Sequence, residues 1–136
     1  MQTITRPDEF HLLVVDDMEP CRAHLRAVLE PVGYHVHQAE SGENALELLE
    51  CQFIHLLLCD MNMHKLSGLQ TVKLAQQIRD PMPSILISAE VNDRLIRDAL
   101  QAKVFSVLSK PVDQHELLYT THRVLGRVYG KPMTSA

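Results

Sequence analysis

Five short strand-like runs, separated by stretches with helical spacing, constrain this chain more than any other feature. The runs cover residues 12–15, 35–39, 54–59, 84–87 and 104–108. Each is too short for a stable helix and is bounded by polar or turn-forming residues. Between them, apolar side chains recur every three or four positions. Cys21, Leu25, Val28 and Leu29 form the first stripe, and Ala45, Leu46, Leu48 and Leu49 the second. Residues 69–79 form the third, and Val91, Leu95, Ile96, Ala99 and Leu100 the fourth. Leu117, Thr121, Val124, Leu125 and Val128 form the fifth, entered through Asp113 and Glu116 in capping-box spacing. Five βα units in series predict an α/β fold: a doubly wound three-layer sandwich on a parallel sheet with right-handed crossovers.

Composition narrows the function classes. The chain has 136 residues, room for one domain, and carries 13 basic against 17 acidic side chains for a net charge of −4. That balance argues against direct nucleic-acid binding, which uses a basic face. No apolar run approaches a bilayer span, and MQTITRPDEF lacks the apolar core of a signal peptide. The expectation is a cytoplasmic protein with no membrane partner. Of the three cysteines, Cys59 lies in an apolar run and reads as a buried small hydrophobe. His35 and His37 share one strand face, but the sequence supplies no further ligand cluster beside them, so no zinc site is assigned.

In open parallel sheets, ligands bind beyond the carboxyl ends of the strands. There the sequence places Asp16-Asp17 after the first strand, Asp60-Met61-Asn62 after the third, Ser88-Ala89-Glu90 after the fourth and Ser109-Lys110-Pro111 after the fifth. Two carboxylates about 4 Å apart repel by roughly 4 kcal/mol at an effective dielectric of 20. A cluster of them therefore calls for compensating cations. Hard oxygen ligands without His or Cys favour Mg²⁺. Carboxylates, Mg²⁺, a lysine and a hydroxyl around one point make a phosphoryl-transfer site in which one carboxylate serves as nucleophile. Asp60 is the best candidate, because it follows the most apolar strand and so has the most fixed backbone.

These residues closely resemble the receiver domain of two-component response regulators. The matching segments are VVDD at residues 14–17, CDMNMHKLSG at 59–68, SILISAE at 84–90 and LSKPV at 108–112. The resemblance spans residues 10–127, leaving 1–9 and 128–136 as tails. It implies a CheY-like, flavodoxin-like sheet of strand order 2-1-3-4-5. Asp60 would be the phosphoacceptor for a sensor histidine kinase or phosphotransfer protein. Asp16, Asp17, Asp60 and the Asn62 carbonyl would hold Mg²⁺. Ser88, the Ala89 N–H and Lys110 would bind the phosphoryl group, with Ser88 as the switch. The resemblance also implies a cis peptide before Pro111 and a tuning of dephosphorylation by Asn62 and Glu90.

Three positions depart from the family pattern. Val107 stands where the family carries Tyr or Phe, with Phe105 two residues upstream on what reads as the same pleat face. His64 replaces a loop proline and reads as a solvated side chain. Ser67 replaces an acidic residue, which is expected to loosen the loop slightly. The resulting expectation is a single-domain signalling module that is not an enzyme on a separate substrate. It would act on a downstream output protein through its last two helices and fifth strand. Two alternatives compete with it. One is an adaptor with the same fold that does not use phosphorylation. The other is a Mg²⁺-dependent phosphatase, disfavoured because the first strand ends in Asp-Asp rather than Asp-x-Asp and no cap insertion is present.

Overall fold

The computed structural model describes residues 6–130; the remaining parts of the two expected tails lie outside the described residues. Five strands, β1 (His11–Val15), β2 (His35–Ala39), β3 (Leu56–Asp60), β4 (Ser84–Ser88) and β5 (Ser106–Ser109), alternate with five helices. The helices are α1 (Glu19–Leu29), α2 (Gly42–Cys51), α3 (Gly68–Ile78), α4 (Asp93–Gln101) and α5 (Gln114–Tyr129). All pairings are parallel and the order is β2-β1-β3-β4-β5, as the resemblance implied.

Side-chain alternation along the strands divides the core in two. Leu12, Val14, Leu56, Leu58, Ile85, Ile87 and Leu108 face α1 and α5, where they meet Leu25, Leu29, Leu117, Val124 and Leu125. Leu13, Val15, Leu57, Cys59 and Leu86 face α2, α3 and α4, meeting Ala45, Val72, Ala75, Leu95 and Ala99. Every residue of β3 and β4 is buried, as expected of central strands covered on both faces. Each fully buried Leu or Ile contributes about 1.5–3 kcal/mol. The strands that carry the site are therefore the most firmly held.

The helix stripes differ from expectation at α4 and at β5. Leu95 and Ala99 are buried, whereas Val91 precedes the helix and Leu100 is 69 % exposed. Asn92 caps α4, accepting from the Leu95 N–H at 2.9 Å, so the helix starts after Val91. Phe105 and Val107 do not share a pleat face. Val107 packs with the α2–α4 core, while Phe105 packs with the α1–α5 core and lies under the Arg123 guanidinium of α5. The reason is that β5 begins at Ser106, so the two-residue alternation does not reach back to Phe105. At the other end α5 continues to Tyr129, whose hydroxyl donates to the His55 carbonyl at 2.7 Å.

Candidate functional site

The carboxyl ends of β1 and β3, neighbours in the sheet, bring Asp16, Asp17 and Asp60 together. One carboxylate oxygen from each lies within 4.8 Å of the other two. β1 and β3 flank the point where strand order reverses, which is where open α/β sheets place their ligands. Asp60 is the last residue of β3 and is 5 % exposed; Asp16 follows β1 and is 2 % exposed. The Asp16 N–H donates to the Ala39 carbonyl at 3.2 Å, and Asp16 Oδ1 accepts from the Met18 N–H at 2.9 Å. Its carbonyl accepts from Arg22 at 2.6 Å. These bonds lock the turn that presents Asp17 to the same space.

Lys110 follows β5 and crosses to the pair. Its ammonium lies 3.0 Å from Asp16 Oδ2 and 3.1 Å from Asp60 Oδ1. The backbone fixes its origin, because the Lys110 N–H donates to the Ser88 carbonyl at 2.9 Å. The Lys110–Pro111 peptide is cis. Partial burial on its own would lower the lysine pKa, but the hydrogen bonds to Asp16 and Asp60 and their charges outweigh it and raise it. Burial pushes the Asp60 pKa up and the Asp16 charge adds to this, while Lys110 and the Asn62 N–H oppose it. Two buried carboxylates share one cation, and so the cluster is short of positive charge.

The loop after β3 is folded tightly onto its own start. The Gly68 N–H donates to the Met61 carbonyl at 2.8 Å, and a Cβ at Gly68 would collide with the Asp60 carbonyl and lie 2.8 Å from Met61 Cα. Only glycine lets α3 begin this close to Asp60. Ser67 has a definite structural role in this loop. It caps α3 reciprocally: its hydroxyl accepts from the Gln70 N–H at 3.1 Å, and its N–H donates to Gln70 Oε1 at 2.9 Å. The serine hydroxyl satisfies the Gln70 N–H and the Gln70 side chain satisfies the Ser67 N–H, so the residue standing in place of the family's acidic one still caps α3. His64 is exposed on this loop, and so is Asn62.

Ser88, the last residue of β4, is at the same edge and buried. Its hydroxyl donates to the Glu90 carbonyl at 2.8 Å and accepts from the Glu90 N–H at 3.3 Å. It is held by its own loop rather than turned toward Asp60. Sequence reasoning missed one neighbour of the cluster. Cys21 Sγ of α1 lies 3.8 Å from Lys110 Nζ, and its thiol pKa is raised, first by burial and then by the Asp16 charge. Together with Pro20, His24, Leu25, Pro111 and Val112 it lines a mostly apolar cleft of about 420 Å³ beside the carboxylates. Its position one helical turn before Leu25 on the inward stripe was the available signal.

The donor set suits a hard divalent cation: three carboxylates with no nitrogen or sulfur ligand among them, Asp17 being more open than the other two. Bound there, such an ion would supply the positive charge that the carboxylate cluster lacks.

Comparison with known proteins agrees with this geometry. Among curated proteins, the transcriptional regulatory protein ZraR of Escherichia coli is 31 % identical over 90 % of this chain. GlrR of the same organism is 36 % identical over 79 %. The chain spans only 28 % and 24 % of their respective lengths. A 14.6 kDa protein of Leptolyngbya boryana is 32 % identical, with 87 % of this chain and 89 % of that one covered. Among solved structures, the chemotaxis protein CheY4 of Vibrio cholerae superposes with a TM-score of 0.81 at 26 % identity, covering 85 % of this chain and 98 % of that one. A receiver protein from Pseudomonas putida gives 0.80 at 28 % identity, covering 89 % and 99 %. The family described as the response regulator receiver domain matches residues 12–122. The chain therefore belongs to the response regulator receiver domain family, a signalling family.

Proposed function

We propose that Asp60 accepts a phosphoryl group from a phosphohistidine of a sensor kinase or phosphotransfer protein, with Mg²⁺ held by Asp16, Asp17, Asp60 and the Asn62 carbonyl. The observation that carries this reading is the shared ammonium: Lys110 lies within 3.1 Å of both Asp16 and Asp60. A nucleophilic carboxylate needs its other charges neutralised as a phosphoryl group approaches. In the step, an Asp60 oxygen forms a bond to phosphorus while the phosphorus–nitrogen bond breaks. The electron pair goes to the departing imidazole. Lys110 then pairs with a phosphoryl oxygen, and the Ala89 N–H donates to another.

The consequence is a shift of population. A phosphoryl oxygen offers the Ser88 hydroxyl a charged acceptor in place of the Glu90 carbonyl, and charge-assisted hydrogen bonds are roughly twice as strong as neutral ones. The phosphorylated protein thus favours a rearranged β4–α4 loop, which a downstream output protein reads. Glu90 and Asn62 flank the phosphoryl position and set how water reaches it. The protein acts on itself rather than turning over a separate substrate. The 14.6 kDa relative, matched over 89 % of its own length, is a protein of receiver size, which supports a receiver that acts through other proteins. No helix among the described residues is long and apolar enough to cross a membrane.

A second reading, an adaptor that binds partners without phosphorylation, is favoured by one observation: Val107 offers no aromatic ring to follow Ser88. Intact-mass spectrometry with Mg²⁺ and a small acyl-phosphate donor tests the first reading. The expected result is a gain of one phosphoryl group, abolished by chelator and by Asp60→Asn. Phosphorylation without any change in partner affinity would support the adaptor.

A further inference from the structure

At the amino-terminal edge of the sheet, opposite the carboxylates, four histidines form a row. The parallel register pairs His11 of β1 with His35 of β2, and His37 lies two residues further along the same face of β2. His55, just before β3, accepts the His11 N–H on its Nδ1 at 3.0 Å. The His35 ring stacks on His11 with centroids 4.5 Å apart, and the His37 ring lies 5.2 Å from His11. His11 Nδ1 and His37 Nε2 are 2.9 Å apart.

The hydrogen bonds assign roles. His55 Nδ1 accepts, so its proton is on Nε2 and the ring is a positioning group for the His11 backbone. Between His11 and His37 a single proton sits where two imidazole lone pairs converge. Burial lowers the pKa of His11, His37 and His55, and the charges of neighbouring histidines lower each further. β2 is an edge strand, and His35 is exposed, so the row is open to solvent on that side.

We propose that His11 Nδ1 and His37 Nε2 bind a divalent transition-metal ion such as zinc, with His35, whose ring stacks face-on against His11 at an interplanar angle of 11°, turning its ring edge toward the ion to become a third ligand. The ion takes the place of the shared proton. The donor ring moves that proton to its other nitrogen, and both rings stay neutral while each offers a lone pair. Tetrahedral zinc with Zn–N bonds of about 2.0–2.1 Å holds its nitrogens about 3.3 Å apart. The pair must therefore open by about 0.4 Å, and the two lone pairs, which now face each other along one hydrogen bond, must tilt to meet at the tetrahedral angle. Imidazole suits zinc, copper and nickel but not Mg²⁺. Ligand chemistry thus separates this site from the oxygen cluster at the other end of the sheet.

Zinc titration by calorimetry in Mg²⁺-saturated buffer tests the site on the wild type, His37→Gln, His35→Gln and Asp17→Asn. Binding of one ion is expected in wild type and Asp17→Asn, weakened about tenfold or more in His37→Gln and in His35→Gln. X-ray absorption of the zinc-loaded protein should show imidazole scattering, and melting without zinc should match between His35→Gln and wild type. Zinc binding that survives both histidine substitutions, or that disappears in Asp17→Asn, would overturn the proposal.

Discussion

Lys110 Nζ lies 3.1 Å from Asp60 Oδ1, a contact that joins the end of β5 to the end of β3 across the intervening β4. Removing the ammonium leaves Asp16 and Asp60 buried and mutually repelling. Lys110→Met should therefore destabilise the metal-free protein by about 1–3 kcal/mol or more, the cost of leaving buried carboxylate oxygens without their partner. Added Mg²⁺ should recover much of that loss, because it replaces the missing charge. Urea unfolding with and without Mg²⁺ reads both effects; an equal deficit in the two conditions would show that Lys110 does not act as the cluster's cation.

Asp60 carries a pH signature. Burial, its largest influence, raises its pKa, so between the unfolded carboxylate value and the folded value the native state binds more protons than the unfolded chain. Stability from this group is present below the ordinary carboxylate range and is lost as pH rises through the folded value. Asp60→Asn should accordingly be more stable than wild type at neutral pH without Mg²⁺, with the gain shrinking as pH falls through the carboxylate range. Lys110, whose pKa is raised, loses its contribution only in strong alkali and does not blur this window. A gain independent of pH would assign the effect to some other property of asparagine.

Gly68 tests how far the loop's closeness matters. Gly68→Ala places a methyl against the Asp60 carbonyl and Met61 Cα, so the start of α3 or the end of β3 must shift. A loss of about 1–3 kcal/mol is expected, as for other overpacked sites. Mg²⁺ affinity should fall as well, since the Asp60 backbone is what moves. Full Mg²⁺ affinity in a destabilised variant would show that only α3 yields.

Ser88→Ala separates acceptance from switching. The hydroxyl touches only the Glu90 backbone, so phosphoryl incorporation at Asp60 should persist. The amide resonances of Ala89 and Glu90 should then respond to phosphorylation less than in wild type. Equal responses in both proteins would remove Ser88 from the switch.

Most of this was legible because the chemistry sits at strand ends. Asp16, Asp60, Ser88 and Lys110 each close an apolar run, and a parallel sheet must bring such ends together. Sequence periodicity failed where an element boundary decided the outcome. Phe105 lies one residue before β5 and so escapes the alternation that governs Val107. Val91 falls outside the Asn92 cap of α4. Ser67 was read for the residue it replaces, whereas its value comes from Gln70 three positions later. The histidine row depended on register between strands: His11 and His37 are 26 positions apart and meet only through β1–β2 pairing.

With eight histidines in the chain, the chemical nature of the phosphoryl bond is the sharpest question. The most direct measurement is ³¹P NMR of the protein after reaction with a small phosphodonor and Mg²⁺, in wild type and Asp60→Asn. The account predicts one acyl-phosphate resonance in the wild type and none in the variant. A phosphoramidate or phosphomonoester resonance, or an acyl phosphate that persists in Asp60→Asn, would contradict it.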